Sequence, residues 1–132
     1  MIVALDVAYD DAHNRAAAAA VQIDDWTSAL FSAERLARLT GIEPYVSGAF
    51  YRRELPCLLS VVPTLDRLGF SETEAIFVDG YTDLGPEHPG LGHHLYDRLH
   101  GLVPVIGVAK TRYADATAVE VVRHGTRPLY IT

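Results

Sequence analysis

The chain has 132 residues, of which 49% are hydrophobic, and its formal net charge is −6. This length and apolar content fit one globular domain of ordinary size and exclude a disordered chain. The negative charge argues against broad electrostatic binding of nucleic acid, although a nucleic-acid enzyme can hold a cation between carboxylates and confine its basic residues to one groove.

The N-terminal part of the chain predicts an antiparallel meander of three strands. Residues Met1–Tyr9 are apolar and β-branched, and a polar turn short enough for a hairpin leads to a second strand, Arg15–Ile23. The alanine run at 16–20 continues into β-branched residues, so it reads as a buried strand rather than a helix. Ala29–Leu39 predicts the third strand, with a helix as the alternative.

A loop at Gly41–Gly48 precedes the first predicted helix, Ala49–Leu68, whose apolar residues recur at helical spacing. Proline is tolerated in a helix only near the first turn. We therefore expect the regular helix to begin near Glu54, just before Pro56, and expect Pro63 to kink or break it.

The remainder of the chain predicts a strand, a loop, a helix, a strand and a terminal hairpin, at Glu74–Val78, Tyr81–Pro89, Leu91–His100, Val103–Val108, and Thr117–Arg123 with Pro128–Ile131. A meander followed by βαβ units predicts an α/β protein: a mixed sheet of antiparallel and parallel strands with helices packed on it. A ribonuclease-H-like sheet has this order of elements.

The single cysteine, Cys57, excludes an internal disulfide, and its apolar setting, ELPCLLSVV, predicts core packing. A lone thiol favours a reducing compartment, so we expect a cytoplasmic protein. No segment reaches the roughly 18 apolar residues of a membrane span. The apolar N-terminus lacks a basic leader and contains Asp6, which indicates a strand rather than a signal peptide.

Three carboxylates occupy positions where packing alone would favour another residue. Asp6 lies inside MIVALDVAY, Asp79 ends the strand AIFVD, and Glu54 opens an apolar helix. In a ribonuclease-H-like sheet the first and fourth strands are neighbours, so Asp6 and Asp79 should converge. A divalent cation would relieve their repulsion, and hard oxygen ligands favour Mg²⁺ or Mn²⁺. Such a cation supports hydrolysis of a phosphodiester.

Each acid also has a simpler interpretation. Carboxylates at strand ends often accept hydrogen bonds from the amides of a following turn. Glu54 could pair with Arg52 or Arg53 beside it. No spacing among these acids is diagnostic by itself.

Several segments together resemble the endonuclease V family. They occur in the family's order and span positions 5 to 110: LDVAY at 5–9, PYVSGAFYRRELP at 44–56, FVDGY at 77–81, HPGLGHHL at 88–95 and IGVAK at 106–110. The resemblance implies a ribonuclease-H-like fold and Mg²⁺-dependent cleavage of nucleic acid near deaminated adenine (inosine). Family members act on DNA in bacteria, and RNA substrates are known in animals.

The resemblance also implies catalytic roles. Asp6, Glu54 and Asp79 match the family's metal-binding carboxylates, which would hold Mg²⁺, with Mn²⁺ as a substitute. Lys110, closing IGVAK, matches a lysine near the scissile phosphate. A solvated lysine at a strand end is the alternative interpretation of Lys110.

Four further positions are implied to contact the substrate. Tyr45 matches the tyrosine of a wedge that enters the duplex at the lesion, and Gly48 ends that wedge. Gly80 matches a backbone position of the base pocket. His94, in GLGHHL, matches a family histidine of unassigned duty, and a buried histidine at a helix N-terminus is the alternative.

The chain departs from the family pattern at three places. The wedge reads Tyr45–Gly48, YVSG, where the family usually has Tyr-Ile-Pro-Gly, and Tyr81 and Thr82 replace a histidine-glycine pair. Family members are usually longer and carry a further catalytic residue after a strand like RPLYIT. We therefore expect one endonuclease V-like domain at 1–132, with the C-terminal part of the family fold absent.

Two functions follow from these patterns. The leading hypothesis is a weakly active, metal-dependent endonuclease that acts near inosine in DNA or RNA, in DNA repair. The alternative is a catalytically degenerate, shortened relative that binds nucleic acid or a protein partner without cleaving it. In either case a second subunit could cover the exposed C-terminal side, as a homodimer.

Overall fold

A computed structural model describes residues 1–62, 72–122 and 125–132, which form a seven-stranded mixed sheet with helices packed against it. The strands are β1 Ile2–Asp10, β2 Arg15–Ile23, β3 Ala33–Thr40, β4 Ala75–Asp79, β5 Val105–Ala109, β6 Val119–Val121 and β7 Leu129–Ile131. The helices are α1 Tyr51–Val61 and α2 Leu91–Arg98. The sheet order is β3-β2-β1-β4-β5-β7-β6.

The N-terminal meander is confirmed, and the alanine run is a strand. β1 and β2 pair antiparallel from Ile2↔Ile23 to Asp10↔Arg15, and β2 pairs antiparallel with β3. Asn14, with φ of 50°, completes the turn between β1 and β2. Small alanine side chains on β2 leave room for α1 to pack closely, and Ala18 is fully buried. β3 begins at Ala33, later than the predicted Ala29.

The first helix corrects one prediction. It begins at Tyr51, so Pro56 lies inside it, and the expected start near Glu54 is wrong. Pro56 and Arg52 are both exposed, so the Arg52 carbonyl that loses its helical N–H partner faces solvent. The helix ends at Val61, and Val62 has ψ of 125°, the extended conformation favoured before a proline. Positions 63–68 of the predicted helix lie outside the described residues.

The hydrophobic core lies between the two helices and one face of the sheet. Its fully buried side chains include Leu58, Val61, Ile76, Val78 and Leu95. Cys57 is 1% exposed in this core, as predicted, and burial raises the pKa of its thiol. Neither described helix has the length and apolar content needed to cross a membrane.

The parallel strands and the terminal pair are confirmed with shifted bounds. β1 pairs parallel with β4, and β4 with β5. The predicted hairpin is the antiparallel pair β6 and β7, and Arg123, which the prediction included, lies outside the described residues. Gly107 on β5 exchanges backbone hydrogen bonds of 2.9 and 3.0 Å with Thr132. A Cβ at Gly107 would lie 2.4 Å from the Gly80 carbonyl oxygen, which explains the glycine.

Candidate active site

Asp6 and Asp79 are neighbours on adjacent parallel strands. The register of β1 and β4 includes Leu5↔Val78, so the next residues on the two strands are these two aspartates. Leu5 and Val78 point into the core, and because side chains alternate along a strand, the aspartates project from the other face. Asp6 is exposed, and its Oδ1 accepts a hydrogen bond of 2.9 Å from the Val7 amide.

Lys110 lies beside this pair. Val108 on β5 pairs with Asp79, and two residues further on, the Lys110 Nζ donates to Asp79 Oδ2 at 2.5 Å. The hydrogen bond and the negative charge of Asp79, with a smaller contribution from Asp6, raise the pKa of Lys110. Lys110 is therefore both solvent-exposed and bound to a predicted metal ligand.

Glu54 lies in the first turn of α1, on the helix-covered side of the sheet with Tyr9, close enough to Asp6 and Asp79 for their charges to act on it. Its side chain is 2% exposed, and the Tyr9 hydroxyl donates to its Oε2 at 2.8 Å. Burial raises the pKa of Glu54 to about 7, and the negative charges of Asp6 and Asp79 push it in the same direction. The charges of the other two predicted metal ligands therefore act on Glu54.

Behind Tyr9 lies a buried arginine that the sequence did not assign to the site. The Arg53 guanidinium carbon lies 3.8 Å from the Tyr9 ring centroid, and its Nη2 donates to Asp11 Oδ1 at 2.5 Å. Arg53 thus pairs with Asp11, so the alternative interpretation in which Arg53 pairs with Glu54 is wrong. The signal that could have indicated Tyr9 is its odd-numbered position on β1, which places it on the helix-covered face.

The donor set fits a hard divalent cation in its chemistry, because every group in it is a carboxylate. No three His, Cys, Asp or Glu side chains are gathered into a ready-made metal group anywhere in the described ranges. Asp79 is bonded to Lys110 and Glu54 to Tyr9, so both side chains have protein partners.

A cleft of about 450 Å³ opens beside Asp79 and Lys110. It is lined by five of the residues that sequence reasoning assigned to the site: Tyr45, Gly48, Asp79, Gly80 and Lys110. Four aromatic residues also line it, Phe50, Tyr51, Tyr81 and Tyr113. Asp6, Glu54 and His94 do not line it.

Tyr81 organises one wall of this cleft. Its buried hydroxyl donates to the Thr111 carbonyl at 2.8 Å and accepts from the Tyr113 amide at 2.9 Å. Gly80, before it, has φ of 150°, a conformation that favours glycine. Tyr81 stands where the family pattern has part of a histidine-glycine pair, so this wall differs from that pattern. This sequence difference could have indicated that Tyr81 belongs to the cleft.

The loop with Tyr45 also lines the cleft. Tyr45 is 62% exposed, and its ring lies 6.1 Å from that of Phe50. Gly48 has φ of 74°, and its carbonyl oxygen lies 3.1 Å from His88 Nε2. His88 therefore anchors the loop, a contact that sequence reasoning did not predict.

His94 lies behind the cleft wall. Its ring stacks on Tyr51 with centroids 3.6 Å apart, and burial lowers its pKa. The neutral ring packs α2 against the first turn of α1. A role of His94 in binding substrate stays a prediction.

Solved structures share this fold. Endonuclease V from Streptomyces avermitilis matches with a TM-score of 0.70 and 30% identity, over 99% of this chain and 64% of that chain. Endonuclease V from Ciona intestinalis, in complex with a DNA containing an inosine, matches with a TM-score of 0.76 and 14% identity, over 99% of this chain and 69% of that chain. The protein therefore has the predicted ribonuclease-H-like fold.

The sequence comparison defines the family. The Endonuclease V family model matches residues 1–131. Endonuclease V from Xanthomonas oryzae pv. oryzae is 34% identical over 119 residues, which are 89% of this chain and 47% of that protein. The chain thus spans about half the length of the curated relatives it matches. It belongs to the endonuclease V family.

Proposed function

We propose that this protein is a metal-dependent endonuclease that hydrolyses a phosphodiester near inosine in DNA or RNA, in the repair of deaminated adenine. The observation that carries the proposal is the cleft in which Asp79 and Lys110 lie beside an aromatic wall. That arrangement offers a carboxylate for a cation, an ammonium for a phosphate and ring faces for a base.

Asp6, Glu54 and Asp79 are the residues proposed to hold Mg²⁺, or Mn²⁺ in its place. A bound cation of this kind lowers the pKa of a water and neutralises charge on the phosphate. Lys110, which is 73% exposed on its side chain, is free to leave Asp79 and bind a phosphate oxygen. When Lys110 moves from Asp79 to a phosphate oxygen, its positive charge stays paired with a negative charge.

The aromatic wall supports a nucleic-acid substrate. A base that leaves the duplex needs a ring to stack on and a pocket to enter. Tyr45 is exposed at the rim, and Tyr81 and Tyr113 lie within the cleft. Inosine is proposed because the Ciona intestinalis relative is in complex with DNA containing it.

The test is cleavage of an inosine-containing oligonucleotide in Mg²⁺ and in Mn²⁺, with an adenine-containing oligonucleotide alongside. We expect weak nicking of the inosine strand alone, abolished by Asp79→Ala. Asp97→Ala is the matched control, because Asp97 is an exposed aspartate on α2 outside the cleft. Equal cleavage by the wild type and Asp79→Ala would contradict the proposal.

A second candidate function is binding without cleavage. It is favoured by the lack, in the ranges the structure describes, of a gathered three-ligand metal group. Retained oligonucleotide binding with no nicking in either metal would support it. A homodimer covering the C-terminal side also stays a prediction, which sedimentation measures. The cytoplasmic location is proposed from the lone buried cysteine alone.

A further inference from the structure

The buried side of the candidate site contains a chain of contacts that the proposed function does not use, from Asp11 through Arg53 and Tyr9 to Glu54. We propose that Tyr9 is a positioning residue that fixes the orientation of the Glu54 carboxylate, and that Arg53 holds Tyr9 in place. The inference rests on the proposed function, because Glu54 is one of the proposed cation ligands.

The contact between Tyr9 and Glu54 engages one carboxylate oxygen. The Tyr9 hydroxyl donates to Oε2 at 2.8 Å, and no other described residue donates a hydrogen bond to the Glu54 carboxylate. The opposite oxygen, Oε1, is therefore left for a different partner. A glutamate side chain has several rotatable bonds, so a fixed donor on Oε2 decides where Oε1 points.

Burial of the Arg53 guanidinium is unfavourable unless its interactions offset the loss of solvation. It is 7% exposed, and its Nε has no hydrogen-bond partner among the described residues. Burying a guanidinium with an unsatisfied N–H is unfavourable, and an apolar side chain would pack more cheaply. Its guanidinium carbon instead lies 3.8 Å from the centroid of the Tyr9 ring, while Asp11 binds its Nη2. The guanidinium thus restricts rotation of the ring that carries the donor hydroxyl.

The two elements that supply these residues are rigid. β1 carries Asp6 on one face and Tyr9 on the other, and α1 carries Arg53 and Glu54 in succession. One strand therefore provides a proposed cation ligand and also the residue that orients a second ligand. Elements of regular structure hold such geometry better than loops do.

The experiment measures Mn²⁺ affinity by titration calorimetry for the wild type, Tyr9→Phe and Arg53→Lys. Both substitutions preserve charge near pH 7, since an ordinary tyrosine titrates at about 10. Tyr96→Phe is the matched control, because Tyr96 is an exposed tyrosine on α2 outside the cleft. We expect Tyr9→Phe to weaken Mn²⁺ binding about 10-fold, Arg53→Lys to weaken it less, and Tyr96→Phe to leave it unchanged.

A thermal melt separates positioning from stability. If Tyr9→Phe melts earlier but binds Mn²⁺ as tightly as the wild type when folded, the positioning role is overturned. If Tyr9→Phe does not fold, Arg53→Lys replaces it in the test. Weaker Mn²⁺ binding by Arg53→Lys then supports the positioning role, and unchanged binding overturns it. If the wild type itself binds no Mn²⁺, the proposed function fails and this inference fails with it. Wild-type binding with unchanged variants overturns the inference alone.

Discussion

Two carboxylates with hydrogen-bond donors flank the same end of the central strands, one in water and one in the interior. Asp79 and Lys110 are 38% and 73% exposed on their side chains, whereas Glu54, held by Tyr9, is 2% exposed. Water screens the first pair, so it contributes little to stability. The second pair is desolvated, so its protonation state changes stability directly. A substitution at Asp79 therefore reports on function, and one at Glu54 reports on both.

The largest expected effect is at the exposed pair, Asp79 and Lys110. Asp79→Asn should lower the rate of inosine-strand cleavage about 100-fold or more, because it removes a proposed cation ligand. The free energy of unfolding should change by less than about 1 kcal/mol, because the lost partner is an exposed lysine. Single-turnover cleavage and urea unfolding give the two numbers. A large loss of stability would contradict the division between the two pairs.

The next effect concerns the buried side. The pKa of Glu54 is raised from 4.5 to about 7 in the folded protein, so the folded state binds the proton more tightly than the unfolded chain. The resulting stabilisation is fully present below pH 4.5 and is lost as the pH rises through about 7. Its size is roughly 3 kcal/mol at most.

Urea unfolding across this pH range tests that sign. The wild type should lose stability as the pH rises, and Glu54→Gln, which cannot titrate, should show a flatter profile. Glu74→Gln is the matched control, because Glu74 is exposed and its hydrogen bond from Trp26 lowers its pKa. Parallel profiles for the wild type and Glu54→Gln would show that Glu54 does not carry the dependence.

A smaller effect is expected at the rim of the cleft. Tyr45→Ala should weaken binding of the inosine oligonucleotide about 10-fold, within the range for loss of one stacked base. The melting temperature of Tyr45→Ala should equal that of the wild type, because Tyr45 is 62% exposed. Fluorescence anisotropy measures the affinity, and Phe31→Ala, at an exposed aromatic residue outside the cleft, is the control. Equal losses for both variants would assign the effect to general hydrophobic contact.

The smallest expected effect is the coupling free energy between Asp79 and Lys110. A double-mutant cycle with Asp79→Asn and Lys110→Met should give a coupling free energy below about 1 kcal/mol for unfolding, and less in high salt. A coupling of several kcal/mol, insensitive to salt, would mean that the exposed pair behaves like the buried one.

The sequence predicted the exposed side of the site better than the buried side. Asp6 and Asp79 follow apolar strand residues, so alternation and the order of strands are enough to bring them together. Tyr9 and Arg53 meet only because α1 packs on one particular part of β1 and β2, which no local pattern encodes. Pro56 misled the helix prediction because its effect depends on whether it faces solvent, and that is decided by the tertiary packing.

The cleft shows the same division. Tyr45, Gly48 and Gly80, which line the cleft, were assigned to the site through the resemblance of their segments to those of the family. Tyr81 and Tyr113 were not assigned to the cleft, because their contact joins two loops that are distant in the chain. Loop geometry of that kind follows from the ends of β4 and β5, not from residue preferences.

Gly107 has a consequence for how a mutational scan of this protein should be interpreted. A methyl group there would collide with the Gly80 carbonyl and with Thr132 Oγ1, each at 2.4 Å. Any side chain would push β5 away from Gly80, which lines the cleft, and from Thr132, although Gly107 itself does not line the cleft. A mutational scan would therefore score Gly107 and a carboxylate of the candidate site alike, although replacement at Gly107 acts by steric collision and not by removal of a reactive group.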